Sequence, residues 1–169
     1  VIEKCIDSGA CFIIDPAVNM QTCRKIKNLT KQYEILFAAY GIHPHDAKDM
    51  KENDLSEIEI LLDDKKAVAV GEIGLDYHYD FSPRNQQIKV FRDFLKLAKK
   101  IKKPVIIHNR ESDDDMMEML ESEASPDLYG QLHCFSGDVK MAERLLGMGF
   151  YISFTGSVTF PKNEYRDVV

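Results

Sequence analysis

Six short apolar runs recur along this chain, and each reads as a strand that is apolar on both faces instead of one. They are Cys11–Ile14, Ile35–Tyr40, Ala67–Val70, Pro104–Ile107, Leu132–Phe135 and Tyr151–Phe154. A strand without a polar face must be covered on both sides, as parallel strands under helices are.

The stretches between the runs carry helical signals. Ala17–Tyr33 is lysine-rich with sparse apolar positions, and Leu55, Ile58, Leu61 and Leu62 recur at helical spacing. Ser82-Pro83 opens the clearest helix, with Ser as N-cap and Pro as first residue. Its apolar stripe is Ile88, Phe91, Leu95, Ala98 and Ile101. Another helix starts at about Ser112 and carries Met116, Met119 and Leu120. A last one is capped by Asp138 and stops at Gly147 and Gly149. Val1–Gly9 reads as the closing turns of a helix, so the natural N-terminus is expected upstream. The basic residues between Arg84 and Lys103 read as a solvated helix face, and the acidic run Asp113–Asp115 as a helix N-terminus.

Strand–helix alternation across 169 residues makes one α/β domain, with no internal repeat and no linker. Two layouts compete: an open doubly wound sheet and a closed (β/α)8 barrel. A barrel needs about 250 residues, so this chain would hold an incomplete one. Neither G-x-G-x-x-G nor G-x-x-x-x-G-K-[ST] occurs, which removes support for a dinucleotide or nucleoside-triphosphate site. No apolar run approaches the ~20 residues of a membrane span, so no membrane partner is expected. The four cysteines form no C-x-x-C pair and read as free thiols of a reducing cytoplasm. The net charge of −6 excludes a generic basic nucleic-acid coat. It leaves room for a nucleic-acid enzyme, because bound divalent metals reverse the local sign in a pocket.

The ends of the strands hold the chemistry. Gly41-Ile42-His43-Pro44-His45 follows the second run, and Gly71-Glu72-Ile73-Gly74-Leu75-Asp76-Tyr77 follows the third. Ile107-His108-Asn109-Arg110 closes the fourth, and the fifth carries His133-Cys134-Phe135-Ser136-Gly137. Four of the five histidines therefore stand on or just past strand ends, where α/β sheets and barrels build their sites. Neutral imidazoles with a carboxylate suit a divalent ion such as Zn²⁺ or Mn²⁺. Each residue also has a plainer reading. Glu72 could form a structural salt bridge with Arg110 or a lysine, and His108 and His133 could be hydrogen-bonded at strand ends. Pro44 could mark an ordinary turn. His78, in a polar aromatic loop, reads as a surface or lid residue.

In order and spacing these four segments resemble the TatD family of metal-dependent deoxyribonucleases, across essentially the whole chain. The resemblance implies a TIM barrel, incomplete over residues 1–169, with two divalent cations (Mg²⁺, Mn²⁺ or Zn²⁺) and phosphodiester hydrolysis on DNA. It implies Glu72 as a shared metal ligand with a catalytic part, and His108 and His133 as further ligands. It implies His43 as a catalytic or phosphate-contacting residue, with His45 beside it and Arg110 neutralising phosphate. Family members also carry an H-x-H pair on a first strand and a T-D-x-P segment on the eighth. Neither falls within residues 1–169, so the chain reads as a partial sequence. Two other classes stay open: a different hydrolase on the same barrel, acting on a small ester, an amide or an aminoacyl-tRNA, and a non-catalytic barrel fragment.

Overall fold

A computed structural model describes residues 1–79, 81–160 and 168. After a short helix α1 (Ile2–Asp7), strands and helices alternate: β1 (Ile13–Pro16), α2 (Met20–Thr30), β2 (Leu36–Tyr40), a 3-10 turn (Pro44–Asp49), α3 (Asp54–Leu62) and β3 (Ala67–Asp76). Then come α4 (Arg84–Ile101), β4 (Val105–Arg110), α5 (Asp113–Ser122), β5 (Gly130–Leu132), α6 (Val139–Gly147), β6 (Phe150–Ile152) and a 3-10 turn at Gly156–Thr159.

The six strands form one parallel sheet in the order β1-β2-β3-β4-β5-β6. This order decides between the two layouts. A doubly wound sheet reverses its strand order at a switch point and places helices on both faces. Here the order never reverses, so crossovers of the usual right hand leave all helices on one face. That is the wall of a (β/α) barrel. Among the described residues β1 and β6 are its edges, and the sheet does not close on itself.

The helices bury their apolar faces on this wall. Along α4, Val90, Phe91, Phe94, Leu95, Leu97 and Ala98 are buried, while Ile88 and Ile101 are only partly covered. The buried face is wider than the single stripe read from the sequence. Three basic residues of α4 point outward into ion pairs: Lys89 with Asp93, Lys99 with Glu123 and Lys100 with Glu59. Met116, Met117 and Met119 of α5 are core. Asp138 caps α6 by accepting from the Met141 N–H at 2.8 Å.

Several boundaries differ from the sequence reading. β1 begins at Ile13, not Cys11, and Phe12 is exposed. Helix α2 starts at Met20, not Ala17, because Asn19 and Thr22 close a capping box there. β5 ends at Leu132 and β6 at Ile152, so His133 stands just beyond its strand. Ser82 caps nothing; Pro83 is the residue before α4, and Ser82 is spent elsewhere. The largest difference is β3, which runs six residues past Val70 to Asp76.

Candidate metal centre

The extension of β3 puts Glu72, Gly74 and Asp76 two residues apart on one strand. Successive side chains alternate faces, so residues at this spacing share one. The pairing of β3 with β4 shifts between Val70 and Ile73, which places Glu72 inside the irregularity. The Gly71–Glu72 peptide is cis. A Cβ on Gly71 would lie 2.8 Å from the Ile106 carbonyl oxygen, so glycine is what lets the two strands close up there.

His108 stands opposite Gly74 in the register. Its ring spans the gap between the two carboxylates. Nδ1 lies 3.0 Å from Glu72 Oε1, and Nε2 lies 2.9 Å from Asp76 Oδ2. His133 Nε2 reaches the same Glu72 oxygen at 2.6 Å, and His43 Nε2 approaches it to 3.7 Å. His45 Nε2 meets Asp76 Oδ2 at 2.8 Å. Two carboxylates of β3 thus gather four imidazoles, two from the turn after β2, one from β4 and one from just past β5. Arg110 stays outside this cluster. Its guanidinium lies over the Tyr79 ring, 4.8 Å from the centroid, and among the described residues no carboxylate pairs with it. The salt bridge between Glu72 and Arg110 is not formed.

Local structure explains each placement. Pro44 occupies the first position of the 3-10 turn, and His43 is its N-cap. The His45 N–H donates to His43 Nδ1 at 3.2 Å, so the neutral His43 ring carries its proton on Nε2, facing Glu72. Burial, helped by the neighbouring His108, pushes the His43 pKa down to about 4, which keeps the ring neutral near pH 7. The connection after β1 holds the main chain: the Glu72 N–H donates to the Ala17 carbonyl at 2.9 Å, and the His43 N–H to that of Val18 at 2.8 Å.

The electrostatics favour ionised carboxylates. Burial would raise the Glu72 carboxyl, but hydrogen bonds from His108 and His133 hold it well below the usual range. Asp76 is lowered for the same kind of reason: burial is outweighed by the Tyr79 N–H and by His45 and His108. His108 is raised, its burial overcome by the two carboxylates it touches.

The sequence reading named Glu72, His43, His45, His108, His133 and Arg110, and the first five meet here. Asp76, which stands in the same segment as Glu72 but gains no role from the sequence, is 1% exposed and as central as Glu72. The signal was present: Glu72-x-Gly74-x-Asp76 is the period of a strand that continues. The sequence reading also passed over Gln87 and gave Ser82 the wrong task. The buried Gln87 amide donates to the carbonyls of Asp76 (3.0 Å) and Ser82 (2.8 Å) and accepts from the Asp76 N–H (2.9 Å). Ser82 donates to the His45 carbonyl at 2.7 Å and accepts from the Lys48 N–H. Replacing Gln87 with Leu removes a partner from three buried main-chain groups, and each group left unsatisfied costs about 1–3 kcal/mol. Gln87→Leu is expected to be at least about 3 kcal/mol less stable in urea denaturation.

The donor set fits a metal. Ligand atoms of His43, Glu72 and His108 lie within 4.8 Å of one another. Imidazole nitrogens and carboxylate oxygens are the donors Zn²⁺ and Mn²⁺ take in proteins. Of the three, His43 is the least suited to ligation, because its Nδ1 accepts a main-chain hydrogen bond and its Nε2 bears the proton. His133 is the better third donor, its Nε2 already turned to Glu72.

A barrel wall with histidines and carboxylates at its strand ends defines a metal-dependent hydrolase class of site. The sequence pattern of the TatD-related DNase family matches residues 1–169, and the chain belongs to that family. It is 40% identical over 173 aligned residues to the uncharacterized metal-dependent hydrolase YabD of Bacillus subtilis, covering 99% of this chain and 68% of YabD. Against the crystal structure of the TatD homolog YjjV of Escherichia coli K12 the TM-score is 0.88 at 31% identity. That match covers 98% of this chain and 64% of YjjV. A TatD-family hydrolase from Entamoeba histolytica superposes with a TM-score of 0.81 at 27% identity, over 91% of this chain and 55% of that one. The chain thus spans between half and about two thirds of the relatives it matches. Among the described residues no helix is long and apolar enough to cross a membrane.

Proposed function

We propose that the protein carrying this chain hydrolyses phosphodiester bonds of DNA with two divalent cations. The observation that carries the reading is the convergence of three imidazoles on Glu72 Oε1 at the C-terminal ends of parallel strands. Glu72 is the shared ligand, with His108 and His133 beside it. When bound, the cations would act as Lewis acids on the phosphoryl group and make water a competent nucleophile near neutral pH. Asp76 orients His108 and His45 from behind, as carboxylates behind ligating histidines do. His43, neutral and with its proton on Nε2, is a hydrogen-bond donor for a phosphoryl oxygen. Arg110 lines the approach and offsets phosphate charge, with His45 beside it. Family membership supports a nuclease, and the metal-dependent hydrolase relatives support the reaction class.

The test is metal removal from the whole protein. Cleavage of an oligonucleotide should stop after chelation and return with Mn²⁺, Mg²⁺ or Zn²⁺, and small esters should be poor substrates under the same conditions. Cleavage that survives chelation would overturn the mechanism. Efficient turnover of small esters with DNA left intact would instead assign a different hydrolase to this barrel.

A further inference from the structure

Asp76, Ser82 and Gln87 are each 1% exposed, and among the described residues no other side chain carrying nitrogen or oxygen is buried so deeply. Buried polar groups destabilise a fold unless they are hydrogen-bonded. These three are bonded in a circuit that returns to its start. The Ser82 hydroxyl donates to the His45 carbonyl at 2.7 Å, and His45 Nε2 lies 2.8 Å from Asp76 Oδ2. The Asp76 main chain exchanges two bonds with the Gln87 amide, which also donates to the Ser82 carbonyl at 2.8 Å. The circuit thus ties the 3-10 turn after β2 to the end of β3 and to α4.

Its effect on the metal centre runs through His45. The Ser82 hydroxyl also accepts from the Lys48 N–H at 3.1 Å. It therefore bridges a carbonyl and an amide three positions apart, the spacing that a 3-10 turn joins. With its carbonyl on Ser82 and its ring on Asp76, His45 is fixed in both main chain and side chain. Its N–H is then aimed at His43 Nδ1, 3.2 Å away, which leaves the His43 proton on Nε2, facing Glu72. A fully satisfied buried network of this kind holds its members rigid. We infer that Ser82 and Gln87 are positioning residues, which fix His45 against Asp76 and through it set the place and tautomer of the His43 ring. This rests on the reading of the cluster as a phosphodiesterase centre in which His43 donates to a phosphoryl oxygen. Neither residue touches the substrate.

The experiment uses the whole protein and Ser82→Ala, because Gln87→Leu loses too much stability to be informative. Thr30→Val is the control. Thr30 is 5% exposed, and its hydroxyl donates to the Lys27 carbonyl on α2, away from the centre. Spectra of ¹⁵N-histidine in the metal-free proteins near neutral pH report which ring nitrogen carries the proton, with the His43 signal assigned by its loss in His43→Gln. Steady-state cleavage of an oligonucleotide is measured with saturating Mn²⁺, well below every melting midpoint. Wild type and Thr30→Val should show His43 protonated on Nε2 alone and equal kcat. Ser82→Ala should show a mixture of tautomers and a kcat about tenfold lower, with KM little changed. A single unchanged tautomer in Ser82→Ala would overturn the inference, whatever its kcat. So would an equal fall in kcat for Thr30→Val, which would make the effect one of stability. A tautomer mixture confined to Ser82→Ala, in a protein whose wild type cleaves no DNA, would keep the positioning role and remove the phosphodiesterase reading.

Discussion

Glu72→Gln is expected to lose bound metal and at least ~10²-fold in rate, roughly 2.7 kcal/mol of barrier, while the protein stays folded. The substitution preserves the shape of the side chain and removes its charge. Its Oε1 lies 3.0 Å from His108 Nδ1 and 2.6 Å from His133 Nε2, so those two imidazoles lose the charged group that orients them. A role confined to stability would show the opposite pattern, a lower thermal midpoint with metal content unchanged. Metal stoichiometry and melting measured on one preparation separate the two. Full occupancy with near-normal turnover would sink the assignment.

Gly74→Ala should damage both fold and site. A Cβ there would lie 1.9 Å from the His108 carbonyl oxygen, and φ at Gly74 is +144°, where side-chain-bearing residues rarely sit. Overpacking and an unfavourable backbone each cost on the order of 1–3 kcal/mol. Together they take about 2–6 kcal/mol from a domain whose total stability is of order 5–15. The clash is with the backbone of β4, so relief must come by moving that strand and His108 away from Glu72 and Asp76. Metal affinity should fall with the melting temperature. Gly147→Ala is the control, since nothing lies within 4 Å of a Cβ there and stability should hardly change. A Gly74→Ala protein that melts with wild type would refute the close packing of β3 on β4.

Much of this arrangement is legible in the residues. Uniformly apolar runs announce parallel strands, and histidines at their ends announce a site at one end of the sheet. What escapes is long-range in origin. An apolar run interrupted by Gly71, Glu72 and Gly74 reads as a strand ending at Val70. Pairing with β4 and the main-chain bond from Glu72 to Ala17 carry it on to Asp76. Ser82 has the local signature of a helix cap, but the His45 carbonyl, 37 positions away, captures its hydroxyl. Gln87 lies inside a helix where propensity says nothing of a buried amide clamping the end of a strand. His133 reads as part of a strand that ends one residue earlier, yet its place at the mouth is still legible, because a residue just past the ladder reaches the same end of the sheet.

The two carbonyls that hold Glu72 and His43 belong to Ala17 and Val18, and a carbonyl is common to all twenty residue types. The anchoring is thus written in chain path, not in side-chain identity. Evolution can exchange residues at these two positions, within the space available, without loosening either anchor. A site fastened in this way can keep its shape through long divergence, and its fastening would leave no mark that a comparison of sequences could detect.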